Sequence, residues 1–109
     1  MTHIMSLSHE PFLRISDHRK NIEIRLFDER RQNIKIDDEI EFIDLETNQT
    51  ITKVVQDLKV YPDFISLYQD NDKKALGYLD DETANPSDMD AFYTKERQNQ
   101  YQALAIYLK

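Results

Sequence analysis

The clearest pattern in the chain is Asn21-Ile22-Glu23-Ile24-Arg25-Leu26-Phe27, where apolar and charged residues alternate. A period of two is that of a half-buried strand, so Ile22, Ile24 and Leu26 are expected on the core face, with Glu23 and Arg25 side by side on the other. His3 to Ser8 alternates more weakly, with Ile4 and Met5 apolar, and suits a short opening strand. Ser8 followed by Glu10 and Pro11 marks a helix start. Phe12, Leu13 and Ile15 give that helix an apolar face, and it ends near Asp17 or His18. Beyond the acidic turn Asp37-Asp38-Glu39, the apolar positions Ile40, Phe42 and Ile43 predict a strand over 39–45. Its hairpin partner is the β-branched run 51–60, joined through Glu46-Thr47-Asn48-Gln49. Tyr61-Pro62 stops that strand, because Pro has no N–H for the ladder, and Asp63 to Tyr68 fits a short helix. Residues 69–86 are polar and acidic, broken by Gly77 and Pro86, and read as a loop with a helical turn. Ser87 with Asp90 has the spacing of a capping box before Met89, Phe92 and Tyr93, and Thr94 caps a last helical segment. Ala103 to Leu108 reads as a buried closing strand.

Strands interspersed with short helices, without regular crossover helices, indicate an α+β domain with a small, strongly curved or barrelled sheet. A length of 109 residues allows one such domain. With 10% aromatic residues the chain can fill a core, which a disordered segment cannot. The absence of Cys removes disulfides, thiolate nucleophiles and Cys-ligated zinc. No apolar stretch approaches the length of a membrane span and the first residues do not form a secretory leader, so the expected location is the cytoplasm.

Charge narrows the range of partners. Residues 1–35 carry +2 and all three His, whereas residues 36–109 carry −9. A net charge of −7 argues against bulk electrostatic binding of nucleic acid, which needs many phosphate-neutralising cations, but permits a small local basic patch around Arg14, Arg19, Lys20 and Arg25. Nucleotide-loop, zinc-protease and nucleophile-elbow motifs are missing, and a single Gly excludes a glycine-rich phosphate loop. His3, His9 and His18 lack ligand spacing, so neither a metal nor another cofactor is expected. The runs Asp37-Asp38-Glu39 and Asp80-Asp81-Glu82 read as solvated turns.

The unusual segment is Arg19-Lys20-Asn21-Ile22-Glu23-Ile24-Arg25. On a strand entered from a helix it projects an ammonium, a carboxylate and a planar guanidinium from one place. Arg suits bidentate recognition of a phosphate or a base edge, while Lys acts as a point charge or, once desolvated, as a base or nucleophile. An ion pair on a solvated face is the plainer reading of the same residues.

The segment resembles the signature of the ASCH domain family, G-x-K-x-x-E-x-R, with His18, Lys20, Glu23 and Arg25 in its four positions. Its surroundings resemble those of small bacterial single-domain members: Glu10-Pro11-Phe12 upstream, Asp37-Asp38-Glu39-Ile40-Glu41-Phe42 at a strand start, Tyr61-Pro62-x-Phe64, and Asp88-Met89. The likeness spans residues 7–108. His18 and Asp37 stand where the family has glycine, and both residue types tolerate positive φ. A side chain at position 18 is expected to narrow the approach to Lys20.

The resemblance implies a PUA-like curved barrel with short flanking helices and a cleft that takes RNA or a nucleoside- or nucleotide-like ligand. Arg19, Lys20, Glu23, Arg25 and Tyr61 are the implied contacts, with Tyr61, Phe64 or Tyr93 as a stacking aromatic. Some small bacterial relatives are amidohydrolases that deacetylate N4-acetylcytidine, with Thr where this chain has Glu23. In that alternative Lys20 is base or nucleophile and Glu23 the proton shuttle. A third reading makes the acidic second half a protein-docking surface.

Overall fold

Every segment that alternates in sequence is a strand in the computed structural model, which describes residues 1–109. The elements are β1 (Thr2–Leu7), α1 (His9–Ser16), β2 (Ile22–Leu26), β3 (Glu39–Asp44), β4 (Thr50–Tyr61), α2 (Phe64–Asp70), a 3₁₀ turn (Pro86–Ala91), α3 (Lys95–Gln100) and β5 (Ala103–Leu108). The strands form one sheet in the order β1-β3-β4-β5-β2, parallel only between β1 and β3. The long β4 serves two partners, since Thr50–Val54 pairs with β3 and Val55–Tyr61 with β5. Its register slips between Val55 and Asp57, leaving Gln56 as an extra residue. Such a bulge bends a strand and sharpens its twist. The sheet curls into a PUA-like half-barrel whose edge strands β1 and β2 approach across a seam.

Both faces of the curled sheet are covered, and β5 shows how. Leu104, Ile106 and Leu108 join Met5, Ile40, Phe42 and Val55 in the inner core, with Phe12 and Ile15 of α1 closing the open side of the half-barrel. Ala103 and Ala105 belong to an outer core with Ile22, Ile24, Leu26, Phe64 and Leu67. The small alanines let α2 approach the sheet closely. Each fully buried Leu, Ile or Phe contributes about 1.5–3 kcal/mol. No helix is long and apolar enough to cross a membrane.

Local signals hold with a few corrections. Asp63 caps α2 and Thr94 caps α3, each accepting from the backbone N–H three residues on. Ser8 makes no capping hydrogen bond. Asn85 rather than Ser87 caps the 3₁₀ turn, its side chain accepting from Ser87 N. In β1 the buried residues are Met5 and Leu7, while Ile4 is 67% exposed; a period of two fixes which residues share a face, but not which face turns inward. His18 (φ 66°) and Asp37 (φ 75°) adopt the left-handed backbone expected of their positions.

The turn at 37–39 is not simply solvated, because Asp38 is buried. Its carboxylate accepts from Lys35 N at 3.0 Å and the N-terminal ammonium at 3.4 Å, and it pairs with His3 Nε2 at 2.8 Å. Asp44, fully buried at the end of β3, accepts from Glu46 N and Thr47 Oγ1 and pairs with His9 Nδ1 at 2.7 Å. These two pairs fasten β1 and α1 to β3.

Their titration gives stability a definite pH profile. The His3 hydrogen bond, helped by Lys35 N–H, holds the Asp38 carboxyl at about 2, below its ordinary 3.8. The hydrogen bond to Asp44 raises the His9 imidazole above 6.5. A depressed carboxyl stabilises above its unfolded value and loses that contribution as pH falls through the folded one. A raised imidazole does the reverse, its contribution being complete below 6.5 and lost as pH rises through the folded value. In urea unfolding, the stability gap between wild type and Asp38→Asn is expected to close between pH 3.8 and about 2. The gap to His9→Gln is expected to shrink as pH rises above 6.5. pH-independent gaps would show that neither pair is ionic.

Candidate functional site

The turn from α1 into β2 delivers Lys20 to the seam. Lys20 N donates to Arg14 O at 2.7 Å, and the left-handed His18 reverses the chain just before it. Lys20 is 7% exposed, and Nζ reaches three acceptors: Ile22 O at 2.7 Å, Leu76 O at 2.9 Å and Glu23 Oε1 at 3.4 Å. The other oxygen of Glu23 accepts from Arg25 Nε at 2.8 Å, and Arg25 Nη2 donates across the seam to Ser6 O of β1 at 3.1 Å. Glu23 is opposite Ile106 and Arg25 opposite Leu104 in the β2–β5 ladder. Directly paired residues share a face, so both charged side chains lie on the inner-core side. The plainer expectation of an ion pair on a solvated face is therefore corrected. The outer face of β2 is buried in the second core with Phe64, Leu67, Leu76 and Met89, so alternation separates two buried environments.

Burial pushes the Lys20 ammonium below its ordinary value against the attraction of Glu23. Burial also pushes the Glu23 carboxyl up, but Arg25 and Lys20 outweigh it and hold the group below the usual range. Burial opposes the charge of Arg25 as well, yet Glu23, with the Tyr93 hydroxyl nearby, leaves its value raised.

The segment between α2 and the 3₁₀ turn straps onto this triad. Ala75 O accepts from Asn21 N and Ile22 N, Leu76 O from Lys20, and Gly77 O from Arg14 Nη1 at 2.8 Å. The same nitrogen of Arg14 reaches Glu82 Oε1 at 2.9 Å. Gly77 has φ 108°, and a Cβ there would sit 2.8 Å from Lys20 Cδ. The chain's only glycine is thus required where the strap crosses the lysine stem.

Between strap, seam and 3₁₀ turn opens a cleft of about 800 Å³. Six cationic side chains line it against five carboxylates, a local excess of positive charge in a chain of net −7. Tyr68, Tyr78, Phe92 and Tyr93 are its aromatics. Phe92 and Leu45 stand at its rim, 63% and 65% exposed. Glu23 and Ser6 take Arg25 Nε and Nη2, and the Tyr93 hydroxyl lies against the same guanidinium; two buried polar atoms of lining residues, Arg14 Nε and Asp28 Oδ1, have no partner.

Of the residues singled out from sequence, Lys20, Glu23 and Arg25 meet in this cleft and Arg14 joins them. Arg19 and Tyr61 do not line it. Arg19 pairs with Asp17 at 2.6 Å, one residue out of phase with Lys20, and Tyr61 is tied to Asp70, Asn71 and Tyr107 on the outer side of the sheet. Phe64 is buried and supports Tyr93, their rings 6.1 Å apart and 18° from parallel. The His18 imidazole lies 3.3 Å from Lys53 and is not part of the cleft wall, so it does not narrow the approach to Lys20. Sequence reasoning passed over Phe92, Asp28 and Arg97. Phe92 follows Met89 by three and reads as core, but the 3₁₀ turn buries Met89 and ends at Phe92, which turns outward.

A family model described as the ASCH domain matches residues 5–109. Among solved structures, the hypothetical protein PH0355 is 26% identical with a TM-score of 0.82, covering 100% of this chain and 98% of its own. Protein PF0455 from Pyrococcus furiosus is 27% identical with a TM-score of 0.71, covering 100% and 96%. A mutant ASCH protein from Zymomonas mobilis shares the fold at 13% identity and a TM-score of 0.64, covering 99% of this chain and 67% of its own. No curated protein matches the chain.

Two substitutions probe the construction of the cleft. Gly77→Ala is expected to cost about 1–3 kcal/mol from backbone strain and the clash with Lys20. A thermal midpoint equal to wild type would show that the strap yields freely. Glu23→Gln leaves two buried cations without their counter-ion, and chemical denaturation should register a loss of roughly 3–5 kcal/mol. A loss under about 1 kcal/mol, the range of a surface pair, would mean that the triad is open to solvent.

Proposed function

The chain belongs to the ASCH domain family, and from that premise we propose that it is a binding module for RNA or a nucleotide-like ligand, seated in the cleft over Lys20, Glu23 and Arg25. The family is generally thought to bind RNA. The observation that carries the reading is the distribution of used and unused donors. The three acceptors around Lys20 Nζ match its three protons, whereas the third nitrogen of Arg25 makes no bond to Glu23 or Ser6, and the exposed Phe92 lines the same cleft. Lys20 and Glu23 then act as positioning residues that hold the guanidinium plane. Arg25 offers a carbonyl or phosphate oxygen its free edge, and Phe92 stacks on a base.

One observation favours a second reading, an amide hydrolase acting on an N4-acetylcytidine-like nucleoside. Burial lowers the Lys20 value, as a base or nucleophile requires. The acceptors around Nζ oppose it, because a neutral amine would leave one of them unpaired.

Titration of short single-stranded RNA and N4-acetylcytidine separates the readings. A binder should lose about 1–3 kcal/mol of affinity on Phe92→Ala, with the thermal midpoint unchanged because that ring is exposed. Its salt slope should correspond to roughly two to four released counterions. Unchanged affinity in Phe92→Ala, or a slope near eight counterions, would overturn the small-cleft picture. Turnover of N4-acetylcytidine that disappears in Lys20→Arg would establish the hydrolase instead, since a guanidinium does not release its proton.

A further inference from the structure

Where the cleft runs past the end of β2, two arginines meet on one buried carboxylate and a third lines the same cleft. Arg30 and Arg31 follow β2 in sequence, Arg97 comes from α3, and all three line the cleft. Asp28 is 3% exposed, and its Oδ2 accepts from Arg31 Nη1 at 2.8 Å and from Arg97 Nη2 at 3.2 Å. A single oxygen therefore holds two guanidinium groups together, while Oδ1 of the same carboxylate is buried without a partner. Arg97 is fixed a second time by the Tyr101 ring, 5.4 Å from its guanidinium carbon, and Glu29 accepts the Tyr101 hydroxyl. Arg30 is exposed and enters no ion pair.

As a device for stability this arrangement is poor. Asp28 gathers two guanidinium groups on one oxygen while its other oxygen is left unsatisfied at the usual cost of a buried orphan, and against three arginines this end of the cleft sets two carboxylates, Asp28 and Glu29. As a device for anion recognition it is well formed. Asp28 and Tyr101 lock two guanidinium planes in advance, so little rotamer entropy remains to be lost when an anion arrives. Several guanidinium forks match a group with several charged oxygens, such as a phosphate, better than a single carboxylate. Asp28 lies three residues beyond Arg25, at most about 10 Å along an extended chain. A phosphate held here would belong to the same ligand as a base or sugar held over Arg25.

We infer that Arg30, Arg31 and Arg97 form a phosphate subsite of the cleft, organised by Asp28, and that the ligand is a nucleotide unit carrying a phosphate rather than a free nucleoside. This rests on the nucleotide-binding reading above.

Calorimetric titration at fixed ionic strength tests it. The probes are the four ribonucleosides, their 5′- and 3′-monophosphates, dinucleoside monophosphates and inorganic phosphate. At least one phosphorylated probe is expected to bind roughly tenfold or more tightly than its nucleoside. A preference for monoesters assigns the subsite to a terminal phosphate, and equal or tighter binding of a dinucleoside monophosphate assigns it to the RNA backbone. Arg30→Ala and Arg97→Gln should each bring the nucleotide-to-nucleoside affinity ratio close to one. Arg30→Ala removes no internal contact, so its folding is secure. Nucleosides that bind as tightly as their phosphates, or a ratio preserved in both variants, would overturn the subsite while leaving the cleft reading intact. Absence of binding by every probe would overturn both.

Discussion

Glu23 is a carboxylate held out of water between two cations, and the path of the chain around it follows from that constraint. Ionised groups this deeply buried are tolerated only when each is paired and its remaining hydrogen-bonding capacity is met. Lys20 meets the requirement by drawing the backbone carbonyls of β2 and the strap onto its ammonium. Arg25 meets it by reaching the Ser6 carbonyl across the seam. One carboxylate thereby fastens the α1–β2 turn, the strap and the edge of β1. The half-barrel needs no sixth strand at the seam, because a guanidinium bridges it.

This construction explains what was legible beforehand. Strict alternation from Ile22 to Leu26 and the capping residue Thr94 are local signals, and the elements they mark formed where expected. The left-handed positions at His18 and Asp37 were legible through the family resemblance, which puts glycine there, and His and Asp are among the residues that tolerate such a backbone. What alternation cannot convey is which side of a strand lies inside a closed curve. Glu23 and Arg25 were placed together correctly, but the plainer of the two readings put them on a solvated face. Only the curling of the sheet, set by the extra residue Gln56 in β4, turns that face to the inner core.

The site was legible to the extent that it is local. Lys20, Glu23 and Arg25 lie within six residues; Glu23 and Arg25 share a strand face, and the α1–β2 turn carries Lys20 onto them. Arg19 adjoins Lys20 yet points elsewhere, because in the bend after His18 its guanidinium is held by Asp17. Tyr61 fails for a longer-range reason: it ends the strand paired with β5, and its hydroxyl is drawn to Asp70 on the outer layer. Phe92, Asp28 and Arg97 reach the cleft from three separate segments, and no spacing rule joins residues that far apart in sequence.

An acidic chain with a locally cationic cleft imposes a division of labour on its charges. With a net charge of −7, long-range attraction for a polyanion is absent. Recognition then has to be short-ranged and geometric, through guanidinium planes fixed before the ligand arrives. Carboxylates do this fixing: Glu23 holds Arg25, Glu82 holds Arg14, and Asp28 holds Arg31 and Arg97. Each acid that weakens the overall field also removes rotamer freedom from an arginine, so the cleft exchanges breadth of attraction for preorganisation. The same negative charge repels any polyanion that cannot place a group against those planes. On the nucleotide-binding reading proposed above, selectivity for a short, well-fitting segment over bulk polyanion would follow from this charge distribution.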